Sequence, residues 1–333
     1  YTNNLGTTSY PLGTVDNVSE LWRAAPRAGY AADQRFTRDQ WSVTHRGEWG
    51  FAGSFVSLAY INTGNHGRTL PLTAAERQLH TQLFQGTGPY EGLSVAERRA
   101  IMEEAFLPRP KRTMESRQYT FDAKLDFQLE GLGGRHHLVT GMQIIDGELE
   151  DGVFGMESGD DGGNTVQKHQ MYSLFAENNW TPIEPLTVTM GVSYDDHKVF
   201  GDHMSPRAYA VYTINPSWSI KGGVATGFKT PRTTDLYDGI TGFGGQGTTP
   251  FVGNPDLKPE TSVNTELAVY WTAESGDHNF NVTYFRNDFK DKIARGESNQ
   301  SCEMTGGVRP CANLGAYSAL GYTTYAQNIN IDE

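Results

Sequence analysis

Two stretches, residues 218–229 and 262–273, limit the fold because their side chains alternate. Trp218, Ile220, Val224 and Phe228 fall on one face of an extended chain, and Ser219, Lys221, Gly223 and Ala225 on the other. Leu267, Val269 and Trp271 repeat the pattern against Glu266. A period of two is the repeat of a strand whose faces meet different surroundings. Tyr119, Phe121, Ala123, Leu125, Phe127 and Leu129 alternate in the same way with Thr120, Asp122, Lys124, Asp126 and Gln128. Leu186, Val188, Met190, Val192 and Tyr194 do so too, as do Phe280, Val282 and Tyr284. An apolar face, a small or polar opposite face and aromatics near the strand ends suit the wall of a transmembrane β-barrel. No apolar run reaches the roughly 18 residues that a spanning helix requires.

About eleven strand-like segments follow, near 37–49, 54–63, 116–130, 136–148, 168–180, 185–197, 205–214, 217–229, 262–273, 277–290 and 322–331. Their connections alternate in length. Gly50–Gly53, Gly131–Arg135, Thr181–Glu184, Asn215–Pro216 and Glu274–Gly276 are tight turns. Between them lie long excursions at 64–115, 149–167, 230–261 and 291–321, with a shorter one at 198–204. Short turns on one side and long loops on the other mark outer-membrane barrels, whose long loops are extracellular. A soluble β-sandwich rarely sustains that contrast. The 64–115 excursion carries two helix starts, Thr73 with Glu76 and Ser94 with Glu97, at capping-box spacing. Leu79 and Leu83, then Ile101 and Ala105, are their expected apolar stripes.

The net charge of −12 argues against nucleic acid as a partner, which wants a basic face. Cys302 and Cys311 lie in a Gly-rich, exposed-looking segment and read as a local disulfide, which implies an oxidising compartment. Catalysis finds little support. There is no G-x-S-x-G elbow, H-E-x-x-H pair, Walker loop or C-x-x-C pair. No metal site is expected: His136 and His137 read as a turn pair on a barrel rim. The acidic, Gly-rich run Asp146–Asn164 lacks EF-hand spacing and reads as a mobile extracellular loop.

The candidate ligand contacts are basic and aromatic. Arg109, Lys111, Arg112 and Arg117 sit where the long loop returns into a strand, and on a barrel they would crowd the outer mouth. Such a ring would attract an anionic ligand by charge and by cation–π contact with its aromatic rings. The alternative is pairing with lipopolysaccharide phosphates or loop carboxylates. Lys229 and Arg232 open the 230–261 loop, where Tyr237 and Phe243 are the aromatic candidates. Asn254-Pro255 and Lys258-Pro259 stiffen the return of that loop and read as scaffolding.

FLPRPKRTMESRQYTFDAKLDF, HHLVTGMQIIDGELEDGV, YSLFAENNW, SPRAYAVY, GGVATGFKTPRTTDLY and NPDLKPETSVNTELAVYW together resemble the TonB-dependent outer-membrane siderophore receptors. The branch they resemble holds the ferric enterobactin and colicin I receptors, and the likeness covers about residues 37–333. It implies a 22-stranded barrel plugged by an N-terminal domain. It also implies uptake of ferric siderophores, catecholates in this branch, driven by TonB–ExbB–ExbD through a TonB box. No protein cofactor is implied, since the iron arrives inside the siderophore. Outer-membrane lipid and lipopolysaccharide are further expected partners, with a colicin or phage as additional ones. Both ends read as cut, with no signal peptide. The expectation for residues 1–333 is one partial barrel domain without plug, TonB box or last strands: an open, curved antiparallel sheet with long loops at one end. The competing readings are a passive outer-membrane channel or attachment surface, and a soluble β-rich binding protein. The last would seal Trp218, Ile220, Val224, Leu186, Val188 and Val192 in a core.

Overall fold

The computed structural model describes residues 21–26, 30–159, 166–244, 249–297, 300–322 and 325–331. Ten long strands form one antiparallel sheet in chain order. They are β1 (Tyr30–Trp49), β2 (Ala52–Arg68), β3 (Met114–Gly131), β4 (Gly134–Asp151), β5 (Val166–Ile183), β6 (Leu186–His197), β7 (Gly201–Asn215), β8 (Trp218–Lys229), β11 (Glu260–Thr272) and β12 (Asn279–Lys290). The sheet is open, with β1 and β12 at its two ends.

Register assigns the faces. Val43, Leu58, Phe121, Ile144 and Tyr172 lie side by side across β1 to β5. Trp218 and Trp271 face each other, as do Ile220 and Val269. This apolar face stays uncovered by protein: Val224 is 42% exposed, Val192 37% and Trp218 36%. It is the surface a membrane covers, not a sealed core. Two aromatic belts bound it. Trp41, Tyr60 and Tyr119 stack at the long-loop end, with ring centroids 6.0 and 4.7 Å apart. Trp218, Trp271 and Phe280 cluster at the short-turn end, where Trp49 also lies. Eight residues separate Trp41 from Trp49, about 26 Å along the strand at ~3.3 Å per residue. At a tilt of ~40° that becomes about 20 Å along the membrane normal, close to the ~25 Å apolar band of outer-membrane barrels. The opposite face is polar and self-paired. Arg207 forms an ion pair with Glu177, and Lys221 lies 3.2 Å from Glu266.

The long excursions build a cap at one end. Helices α1 (Ala74–Gln85) and α2 (Val95–Phe106) form where the capping boxes predict. Thr73 and Ser94 each accept the N–H three residues on, and Glu76 and Glu97 accept in return. Gly86, at φ +70°, ends α1 in the left-handed region. Arg98 of α2 donates to the last carbonyls of α1, those of Leu83 and Phe84. α1 buries Leu83 as expected, but α2 turns Met102 and Phe106 inward while Ala105 stays exposed. Larger side chains one position later win the core.

A four-stranded sheet completes the cap, in the order β13 (Lys292–Glu297), β14 (Ala326–Ile331), β10 (Thr249–Val252), β9 (Ile240–Gly244). The eleventh expected wall strand, 322–331, is therefore corrected. Only 326–331 is strand, and it pairs with β13 and β10 in the cap. Asn254 donates to the Asn328 carbonyl, and Asn330 accepts from the Lys258 N–H. These bonds hold β14 against the NPDLKP turn, which acts as the scaffold its prolines suggested. The expectation of a mobile loop over 146–164 is also corrected for its described part. Val153, Phe154 and Met156 are fully buried and pack with Ile240, Val252, Leu314 and Tyr317; residues 160–164 lie outside the described residues. Cys302 and Cys311 form the expected disulfide, but Cys311 is buried rather than exposed.

Candidate functional site

Five of the eight sequence candidates belong to the protein's own framework. Arg109 keeps only 4% of its side chain exposed. It donates to both carboxylate oxygens of Glu76 and to the Leu70 and Pro71 carbonyls. It clamps the capping box of α1 and has no surface to offer a ligand. Arg112 makes a bidentate pair with Asp151 at 2.6 and 2.7 Å, both side chains nearly buried. Tyr237 stacks on Phe154 and donates its hydroxyl to Glu157. Phe243 packs on Tyr317 and under the guanidinium of Arg77, 5.2 Å away. Arg117 occupies a row shared with Asp39, Asn62, Glu148 and Lys168. That row has the parity of the apolar outer face, so the Arg117 side chain alternates outward, although the residue borders the cleft described below.

Lys111 is exposed beside Thr69 on the cap. Lys229 points to the inner face at the top of β8, 2.9 Å from Glu260. Glu260 also accepts from the Ile293 N–H. Its carboxyl, burdened by burial, is nevertheless held below the usual range by those two donors. Arg232 is exposed, with Asp235 bonded to it at 3.0 and 3.1 Å.

The inner row next to Arg117 reads quite differently: Gln40, Ile61, Gln118, Gly147 and His169. The row above it holds Arg38, Thr63, Ser116, Leu149 and Gln167. The segment Thr230–Thr234, leaving β8, crosses to this surface and closes a cleft of about 400 Å³ over Ser116, Gln118, Gln167 and His169. A neighbouring cleft of about 430 Å³, lined by Arg38, Gln40, Ser42 and Thr120, shares Gln118 with it. One groove thus runs along the inner mouth from Arg38 to Arg232. Gly147 leaves room in it: a Cβ there would make only ordinary contacts, at 3.5 Å or more. Among the described residues bordering either cleft, Glu148 is the one carboxylate. Its register turns it outward, 3.2 Å from Lys168.

Around the two clefts Arg38, Gln40, Ser116, Gln118, Gln167 and His169 face in, while Glu115, Asp146, Glu148 and Glu150 alternate to the outer face. Farther down the wall, carboxylates do face in, among them Asp122, Asp126, Glu177 and Glu266. Arg38, Gln118 and His169 escaped the sequence reading, which followed clusters of charge along the chain. Counting parity from Trp41 and Tyr119 would have turned Arg38 and Gln118 inward, but His169 needs its register with Gly147.

The family model "TonB dependent receptor-like, beta-barrel" matches residues 1–333. The chain belongs to the TonB-dependent receptor β-barrel family. It is a wall of a bacterial outer-membrane barrel, and its uncovered apolar band is the lipid-facing surface. The iron-regulated outer membrane virulence protein of Vibrio cholerae is 35% identical over 193 residues, covering 58% of this chain and 28% of that protein. The ferric enterobactin receptor of Pseudomonas aeruginosa is 28% identical over 300 residues, covering 85% of this chain and 36% of that protein. A solved structure of a variant of the ferric enterobactin receptor from P. aeruginosa, in complex with enterobactin, aligns with a TM-score of 0.62 and 26% identity. That alignment covers 90% of this chain and 40% of that one. The chain thus spans roughly a third of the length of the curated relatives it matches.

Proposed function

We propose that this chain is part of the wall and cap of an outer-membrane receptor that takes up ferric siderophores, of the catecholate type, by TonB-dependent transport. The observation that carries the reading is the inner groove between Arg38 and Arg232, from which the nearby carboxylates Glu115, Asp146, Glu148 and Glu150 are turned away. Charge sorted in this way raises the local concentration of an anion and excludes cations. Ferric catecholates are anionic, and their flat rings suit guanidinium faces. The names of the relatives point to the same ligand class. The iron is cargo, held by the siderophore, and no step needs a protein ligand to it. TonB–ExbB–ExbD is the proposed energy source.

An iron-starved, siderophore-deficient host expressing the complete gene tests this, fed defined ferric siderophores one at a time. Growth restored by a ferric catecholate is expected. Rescue by none, or by hydroxamates alone, overturns the ligand assignment. Gly147→Met should block that rescue while leaving receptor levels unchanged, because the cleft fills without backbone strain.

A further inference from the structure

Beside the groove lies a hydrogen-bonded histidine pair. His197, at the end of β6, is 2% exposed. Its Nδ1 accepts the Val199 N–H at 3.1 Å. A neutral imidazole that accepts at Nδ1 carries its proton on Nε2. That Nε2 lies 3.1 Å from Nδ1 of His169, and so donates to it. His169 then accepts at Nδ1 and keeps its proton on Nε2. The backbone of Val199 thereby sets the tautomer of a ring one strand away, and that ring lines the cleft closed by Thr230–Thr234. Phe200 packs on His197 at 4.9 Å and helps fix its plane.

We infer that His169 is a ligand-contacting residue of the groove, an N–H donor to an anionic or amide oxygen of the bound chelate, and that His197 is its positioning residue. This rests on the receptor reading above. The donor is useful because it is neutral and oriented. A chelate oxygen gains a directed bond there, while Arg38 supplies charge at one end of the groove and Arg232, paired with Asp235, borders the other. Protonating either ring removes an acceptor: Nδ1 of His197 would face the Val199 N–H, and Nδ1 of His169 would face His197. On the pair's own inner face stand Asp195 of β6 and His203 of β7, with Arg232 on the crossing segment at the edge of the cleft; Arg117, Glu148, Lys168, Asp196 and Asp202 occupy the neighbouring outward positions, and Lys198 follows in the turn.

The test is equilibrium binding of ferric enterobactin to the full-length receptor, purified and folded, between pH 6 and 8. His169→Ala should weaken binding about tenfold, the worth of one hydrogen bond to a charged acceptor. His197→Ala should weaken it about threefold and change the pH profile. His197→Gln should restore the affinity, since its amide N–H can donate to His169 in the same way, but not the part of the pH profile that comes from protonating His197. His169→Gln, which retains a donor, should lose less than His169→Ala and guards against a folding defect. Wild-type affinity and pH profile in His169→Ala would overturn the contact. Equal losses in His197→Ala and His197→Gln would overturn the positioning role. Failure of the unaltered receptor to bind any ferric siderophore would instead remove the receptor reading itself.

Discussion

In the ten-stranded wall, a residue's surroundings follow from its parity. In the cap, they follow from partners far away in sequence. Lys124 and Leu125 are neighbours in β3, yet one faces the polar inner side of the wall and the other the apolar band. Nothing covers Leu125, which is 42% exposed to whatever surrounds the wall. Tyr317, by contrast, is fully buried and donates its hydroxyl to the carbonyl of Leu72, 245 residues away. The wall needs no core, because lipid takes the place of one and the strand ladder satisfies the backbone. The cap stands in water and must bury its own apolar surface, so its excursions pool their side chains.

Different substitutions should therefore hurt the two regions. The largest effect belongs to the cap core. Phe154→Ala should cost about 3–5 kcal/mol of cap stability, through lost burial and the cavity left behind. Limited proteolysis should show cleavage in the 149–167 and 230–261 excursions while the barrel stays folded. If the barrel unfolds together with the cap, the two regions are one cooperative unit and the comparison breaks. Next comes the wall's outer face. Leu125→Arg should cost about 2–4 kcal/mol near the membrane midplane, measured by denaturant unfolding in lipid vesicles. The adjacent inner position already carries Lys124, so equal sensitivity at both would refute the assigned faces.

A smaller effect concerns pH. Burial lowers the pKa of His80, whose Nε2 lies 2.6 Å from the Leu21 carbonyl, and the Arg77 charge lowers it further. The unfolded cap then binds more protons than the folded one. Stability is complete above the unfolded value of about 6.5 and falls as pH drops from there through the folded value. Opening of the 64–115 excursion, followed by hydrogen exchange, should rise by at most about tenfold per pH unit below that point. His80→Gln should remove the dependence. The smallest effect is expected at the mouth. Lys229→Ala removes the exposed end of an ion pair and leaves Glu260 its bond from the Ile293 N–H, so it should cost about 1 kcal/mol or less. A large loss of thermal stability there would mean that the mouth is braced by charge rather than by the cap.

Strands with one apolar face were legible because period two needs no knowledge of partners. The two helices were legible because a capping box is local. The cap sheet was not. Residues 326–331 alternate like a wall strand, and only their pairing with β10 and β13 shows otherwise. Val153, Phe154 and Met156 sit in a Gly-rich acidic run whose composition suggests a solvated loop, and burial depends on Ile240 and Tyr317 arriving from elsewhere. The candidate site shows the same limit. Arg109 and Arg112 read as free cations because Glu76 and Asp151, their partners, lie 33 and 39 residues away.

The sequence alone determined an antiparallel membrane wall, its lipid-facing side and the end that carries the long loops, since these rest on alternation and connection length. Tertiary structure alone decided which cations border the inner groove. Alternation within one strand sorts residues into two sets, but only the register between strands, and the segment that folds back from β8, turns Arg38, Gln118, His169 and Arg232 into one groove.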